Sequence, residues 1–393
     1  MSDGAIERVL SEAVAHNEVP GVVVAAVRPD GAIYEAAFGR RDMTKPEAMT
    51  TDTVFWIASM TKALVSAAAM QLVEQGKVTL EQDLGAILPE LAKPQVLEGW
   101  DKTGAPRLRP ARGAVTLRRL LTHTAGFSYE MWNADIVQYQ KHASIPGIIS
   151  CENRALTTPL IADPGTRWEY GINLDFVGKL VEVVSGKRLD AYLAEHLFAP
   201  LGMADTTFQI RSDQRPRLAA MHARAADGTL SPMPFEIPQV PEFHMGGGGL
   251  YGTAKDYLTF CRMILGRGVL DGARVLQPET VTSMMQNQMG PLNVTKLSTA
   301  LPAATNDAEF FPGMVKKWGL GFMISTEAVP GRRAAQSLTW AGLANTYFWI
   351  DPASHVAGVL LTQILPFADA KVLRLYNSFE TEVYRTARPA RAA

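Results

Sequence analysis

Between residues 61 and 75 the chain specifies a helix with almost no polar face. Ala63, Leu64, Val65, Ala67, Ala68, Ala69, Met70, Leu72 and Val73 point in nearly every direction around its axis. A helix that is apolar all round has to be enclosed on every side. The run is far shorter than the ~18–20 residues that cross a bilayer, so protein must do the enclosing. The 393 residues suffice for that. At roughly 100–200 residues per domain they predict two or three units, or one fold with a large insertion.

The flanking patterns say where the enclosing elements come from. Ile6, Val9, Leu10, Ala13 and Val14 fall at helical spacing behind a cap at Ser2 or Asp3, and Pro20-Gly21 stops that helix. Residues 22–27 and 32–38 flank Pro29-Asp30-Gly31, which reads as a hairpin. The stretch 80–245 reads as mainly helical with long joints, including helices at 174–185 and 189–198 and a proline-rich loop at 232–241. A helix at 254–265 follows, then strand-like runs at 319–324, 337–341, 346–350 and 356–361, and a last helix at 368–385. Strands at both ends with helices between predict one sheet built from both termini. The expected division is an α/β domain from 1–80 and 246–393, a mainly helical insert at 81–245, and an active site between them.

Composition narrows the partners. Lys and Arg number 38 against 39 Asp and Glu, a formal net charge of -1. That balance builds no basic field for nucleic acid or an anionic membrane, so a small molecule is the expected partner. Cys151 and Cys261 cannot form a disulfide framework or a four-cysteine zinc site, and they read as buried thiols. The first residues lack the basic and apolar regions of a signal peptide, so the expected location is cytoplasmic.

Generic motifs fall away. Gly247-Gly248-Gly249-Leu250-Tyr251-Gly252 fits G-x-G-x-x-G, but it follows a proline-rich loop where a dinucleotide site needs a strand. The phosphate-loop pattern, G-x-S-x-G and H-E-x-x-H are all absent from the sequence, which implies neither a metal nor a cofactor.

Ser59-Met60-Thr61-Lys62 remains, at the mouth of the apolar helix. Three residues apart, Ser59 and Lys62 share a helix face, and the serine lies near unpaired backbone N–H groups. A lysine neutralised by burial can take a serine proton. The same spacing also describes a capping serine beside a lysine that snorkels to solvent.

The wider context separates the two. The segment Val54-Phe55-Trp56-Ile57-Ala58-Ser59-Met60-Thr61-Lys62 resembles the nucleophile segment of the class C β-lactamase-like serine hydrolases, especially the family VIII carboxylesterases. Leu120-Leu121-Thr122-His123-Thr124-Ala125-Gly126 is similar to their L-L-T-H-T-S-G stretch, and residues 164–170 to P-G-x-x-[FW]-x-Y. Residues 247–256 and Trp340-Ala341-Gly342 complete a series that runs in order through most of the chain. The resemblance implies a β-lactamase/transpeptidase-like fold, with an antiparallel sheet flanked by helices plus a helical domain. It also implies ester hydrolysis through an acyl-enzyme. Ser59 is then the nucleophile and Lys62 its partner, while Tyr170 moves the proton as a phenolate or as a hydrogen-bonded hydroxyl. The backbone N–H groups of Ser59 and Leu343 form the oxyanion hole.

Two departures from the family pattern bear on substrate. Tyr170-Gly171-Ile172 lacks the asparagine with which β-lactamases hold the substrate amide, Asn173 coming one place late. Trp340 stands where a lysine would meet a β-lactam carboxylate, so that wall is expected to be apolar. Glycine at 342 is expected to let substrate approach the strand closely. Together with Trp340, Ala341 and Gly342, the expected binding residues are Phe127, Tyr129 and Trp132, which follow the His123 motif. Ordinary core packing explains those last three equally well. The rival readings are a β-lactamase or DD-peptidase, an amidase or acyltransferase on the same scaffold, and a non-catalytic binding protein.

Overall fold

The computed structural model describes residues 3–28 and 31–387. The proposed cap at Ser2 and the turn residues Pro29 and Asp30 lie outside the described residues.

Seven strands form the main sheet: β1 (Gly21–Arg28), β2 (Gly31–Gly39), β3 (Lys316–Trp318), β4 (Met323–Ser325), β5 (Ser337–Gly342), β6 (Thr346–Asp351) and β7 (Val356–Leu361). Their order is β3-β4-β5-β6-β7-β1-β2, and every neighbouring pair is antiparallel. Strands from the two ends of the chain therefore meet at the β7–β1 seam, where Ala25 faces Val359.

Strand β6 is buried along its whole length, which an antiparallel strand manages only when both faces are covered. Successive side chains point to opposite faces. Phe348 meets Tyr257 of the Ala254–Leu265 helix at 5.0 Å, whereas Trp349 meets Tyr376 at 5.8 Å and Phe379 at 5.7 Å on the Ala370–Ala387 helix. One helix thus covers each side. Trp349 has room because its cross-strand partner is Gly358, where a Cβ would come within 2.0 Å of the indole. The terminal helix is also tied down by charge. Arg333, ahead of β5, holds Glu380 through two hydrogen bonds at 2.7 and 2.9 Å, both side chains being fully buried.

The apolar helix spans Thr61–Glu74 and is buried from Thr61 to Leu72, packed against the Asn173–Ser185 helix. The expected strand at 319–324 is borne out only at its end: residues 319–322 are the turn between β3 and β4, and Met323 and Ile324 begin β4. Its glycines explain the difference. A Cβ on Gly319 would lie 2.1 Å from the Met284 carbonyl, and Gly321, at φ +106°, sits against Ser66 of the buried helix. Close approach to a neighbour, not strand pairing, sets that stretch.

The middle of the chain is less helical than expected. It carries a hairpin of Gln95–Trp100 with Pro106–Pro110, and the strands His222–Arg224 and Leu230–Pro232 pair alongside Ile364–Leu365. Among the described residues no helix is long and apolar enough to cross a membrane.

Candidate active site

Ser59 lies on a single 3-10 turn, Ala58–Met60, that leads into the buried helix. Ala58 just before it has φ +45°, a left-handed conformation that strains a residue with a Cβ and persists only where surroundings enforce it. The enforcement comes from both sides. The Ile57 N–H donates to the Leu250 carbonyl at 3.0 Å, and the Trp56 indole donates to the Gly248 carbonyl at 2.7 Å. Across the site, the Thr346 hydroxyl donates to the Ile57 carbonyl at 3.3 Å. The turn is clamped between the glycine loop and the β5–β6 hairpin.

Lys62, one helical turn on, does not snorkel. It is 1% exposed, and its Nζ donates to Ser59 Oγ at 2.9 Å, to the Tyr129 hydroxyl at 3.1 Å and to the Gly247 carbonyl at 2.5 Å. Burial pushes its pKa down to about 7, against the pull of the Asp175 charge. An amine so placed exchanges its proton near neutral pH while in contact with the serine.

Tyr170 brings its hydroxyl towards Ser59 and accepts the indole N–H of Trp340 at 2.9 Å. Burial drives this phenol well above its ordinary range, outweighing those two hydrogen bonds. Of the two forms considered, the structure therefore favours the neutral hydroxyl over the phenolate. Trp340 is also more than a wall. Its N–H is committed to Tyr170, while its ring packs edge-on to Trp318 at 4.6 Å.

Ser59, Tyr129, Tyr170, Trp340, Ala341 and Gly342 line one cleft, joined by Leu343 and Trp132. Met131, Ile148, Leu297 and Phe367 supply further apolar wall. The lining of the cleft is thus mainly apolar. Phe127 stands apart from the cleft. Its ring is 3% exposed and packs on Phe176 at 4.7 Å, so the Asn173–Ser185 helix takes the surface that was expected to face substrate.

Ser59 and Leu343, whose N–H groups the resemblance assigns to the oxyanion hole, both border the cleft. Gly342, which lines the cleft, also serves the serine turn. A Cβ there would fall 2.2 Å from Thr346 Oγ1 and 2.3 Å from the Ile57 carbonyl, so glycine lets the hairpin close on the serine turn.

The displaced asparagine is turned away. Asn173 Nδ2 sits 3.0 Å from His123 Nδ1 and 3.4 Å from the Phe127 and Glu169 carbonyls, while Ile172 is buried. His123 is buried as well. Desolvation and the Lys62 charge hold it neutral, and its ring supports Tyr170 at 4.7 Å.

Sequence reasoning passed over two residues at this site. Asp175 is fully buried and accepts the Gly247 N–H at 2.8 Å, while Gly247 presents its carbonyl to Lys62. An aspartate in the first turn of a helix reads as a complement to the helix dipole, which conceals any other role. Gly247 lay inside a glycine run read as a nucleotide motif and as part of the family resemblance, with no role at the site given to it. Tyr129 appeared as a pocket wall, with no signal that its hydroxyl would meet Lys62.

A family model described as beta-lactamase matches residues 6–381. The chain is 34% identical to monacolin J acid methylbutanoyltransferase of Aspergillus terreus over 400 residues, covering 96% of this chain and 95% of that one. It is 31% identical to lovastatin esterase of Penicillium rubens, covering 95% and 96%. Among solved structures, a mutant of simvastatin synthase from Aspergillus terreus superposes with a TM-score of 0.86 at 31% identity, covering 98% and 97%.

Proposed function

The chain belongs to the beta-lactamase family, and on that premise we propose that it cleaves short-chain carboxylic esters, in the manner of a family VIII carboxylesterase. It does so through an acyl-enzyme on Ser59. The observation that carries this reading is the buried Lys62 amine in hydrogen-bond contact with Ser59 Oγ at 2.9 Å.

In the first half-reaction neutral Lys62 takes the Ser59 proton as Oγ bonds to the ester carbonyl carbon. The carbonyl oxygen gains the negative charge and is met by the N–H groups of Ser59 and Leu343, each such donor being worth roughly 3 kcal/mol in a dry site. Collapse breaks the bond to the alcohol, which leaves with a proton relayed from Lys62 through the Tyr170 hydroxyl. An incoming hydroxyl compound then gives its proton to the same pair, attacks the acyl carbon and frees Ser59.

Water as that hydroxyl compound gives hydrolysis. An alcohol gives acyl transfer, a second reading favoured by the apolar lining of the cleft and by the transferase among its relatives. A β-lactam is disfavoured on two counts. The Asn173 amide is turned towards His123, and Trp340 offers a carboxylate no cation. Such an unpaired carboxylate is worth about a hundredfold in kcat/KM. The test compares a short-chain p-nitrophenyl ester with an unactivated penicillin under the same conditions. The ester should win by that factor or more, and equal or faster turnover of the penicillin would reverse the assignment.

A further inference from the structure

The Gly247 peptide is gripped at both ends by ionisable side chains. Its N–H donates to Asp175 Oδ1 at 2.8 Å, and its carbonyl accepts from Lys62 Nζ at 2.5 Å. Asp175 is fully buried, and among the described residues its second oxygen, Oδ2, has no hydrogen-bond partner. A buried carboxylate left half-satisfied is costly unless an opposite charge compensates it. Of the groups that act on Asp175, Lys62 is the positive one; Glu130 is the other carboxylate and is itself buried. Tyr129 lies between the pair, its hydroxyl accepting from Lys62 and interacting with Asp175. Tyr170 and His123 complete the ionisable surroundings of Lys62, and burial keeps both neutral. Cys151 also senses the Asp175 charge, and burial keeps its thiol protonated.

We propose that Asp175 is a positioning residue for acyl transfer: it is the buried counter-charge of Lys62, and through the Gly247 peptide it aims the amine at Ser59. The inference rests on the reading in which Lys62 is the base. A negative charge beside Lys62 favours its protonated form, so the amine is a stronger base than burial alone would leave it. The cradle has no slack. A Cβ on Gly247 would lie 2.7 Å from Asp175 Oδ2 and 2.6 Å from the Tyr129 hydroxyl.

Asp175→Asn keeps the volume and the acceptor for Gly247 N–H while removing the charge. The experiment is the pH profile of kcat/KM on a short-chain p-nitrophenyl ester, run with the full chain, wild type and variant, and with Ser59→Ala as the blank. The wild-type acidic limb reports deprotonation of Lys62. In Asp175→Asn it should move to lower pH by about half a unit or more, with a plateau lowered about tenfold. A limb that stays in place or moves up overturns the proposal. Should Asp175→Asn not fold, Gly247→Ala displaces the carboxylate without deleting it; the limb should move the same way, and an unmoved limb again overturns the proposal. A wild type without Ser59-dependent turnover defeats the functional reading and this inference together. An active wild type with an unmoved variant limb defeats the role of Asp175 alone.

Discussion

Burial acts on Lys62 and Tyr170 in opposite senses, and that contrast divides their work. It neutralises the amine near pH 7 and keeps the phenol protonated, so the first accepts a proton where the second can pass one on. Trp340 enters through the phenol, because its indole fixes the Tyr170 oxygen at 2.9 Å and leaves the hydroxyl proton free to point elsewhere. Trp340→Phe should therefore lower kcat about tenfold with little change in KM, and Tyr170→Phe should lower it further. The double variant should be no worse than Tyr170→Phe alone, because both act on one proton path. Losses that multiply in steady-state kinetics would show that Trp340 acts on substrate directly. At this scale Ser59 and Lys62 were legible because their spacing puts them on one helix face beside a segment with no polar side. Asp175 was not. Its importance comes from a peptide 72 residues away that folds against it, and no local pattern announces such a contact.

The elements around the site are held by a few contacts that local sequence does not encode. The Arg333–Glu380 pair anchors the terminal helix to the segment ahead of β5, and both side chains are fully buried. Glu380→Gln should cost roughly 3–5 kcal/mol, because it leaves a buried guanidinium uncompensated. Replacing both partners, Arg333→Met with Glu380→Leu, should recover most of that loss. Urea denaturation of the three proteins checks it; equal destabilisation by single and double variants would show that packing alone matters there. The same scale explains what the strand patterns captured. Runs such as 346–350 and 356–361 are apolar because two layers of helix cover them, and they appear as β6 and β7 with their ends shifted by at most one residue. Of the stretch 319–324, residues 323–324 do enter β4, but the part before them is bent by Gly319 and Gly321 against the Met284 backbone and Ser66. In the hairpin at 95–110, the Asp101 side chain caps the turn by accepting from the Thr103 and Ala105 N–H groups. Pro106 and Pro110 masked that hairpin, since proline weakens a strand pattern that an exposed edge tolerates.

At the scale of the whole molecule, the apolar helix is the constraint that the rest of the chain satisfies. The Asn173–Ser185 helix, the segment 189–198 and the turn between β3 and β4 pack around it, and its N-terminal turn opens on the cleft. The sheet from both ends was legible because the strand signals cluster there. The narrowing of the cleft by Met131, Ile148, Leu297 and Phe367 was not, since four distant segments converge on it. The central claim is that this enclosure makes Ser59 an acyl carrier. Brief mixing of the protein with a short-chain p-nitrophenyl ester, followed by acid quench and intact-mass and peptide mass spectrometry, tests it most directly. One acyl group should appear per chain, on the peptide containing Ser59, and should disappear when quenching is delayed or an alcohol acceptor is added; Ser59→Ala should carry none. Turnover of the ester with an acyl group on another residue, or with equal labelling of Ser59→Ala, would contradict the account.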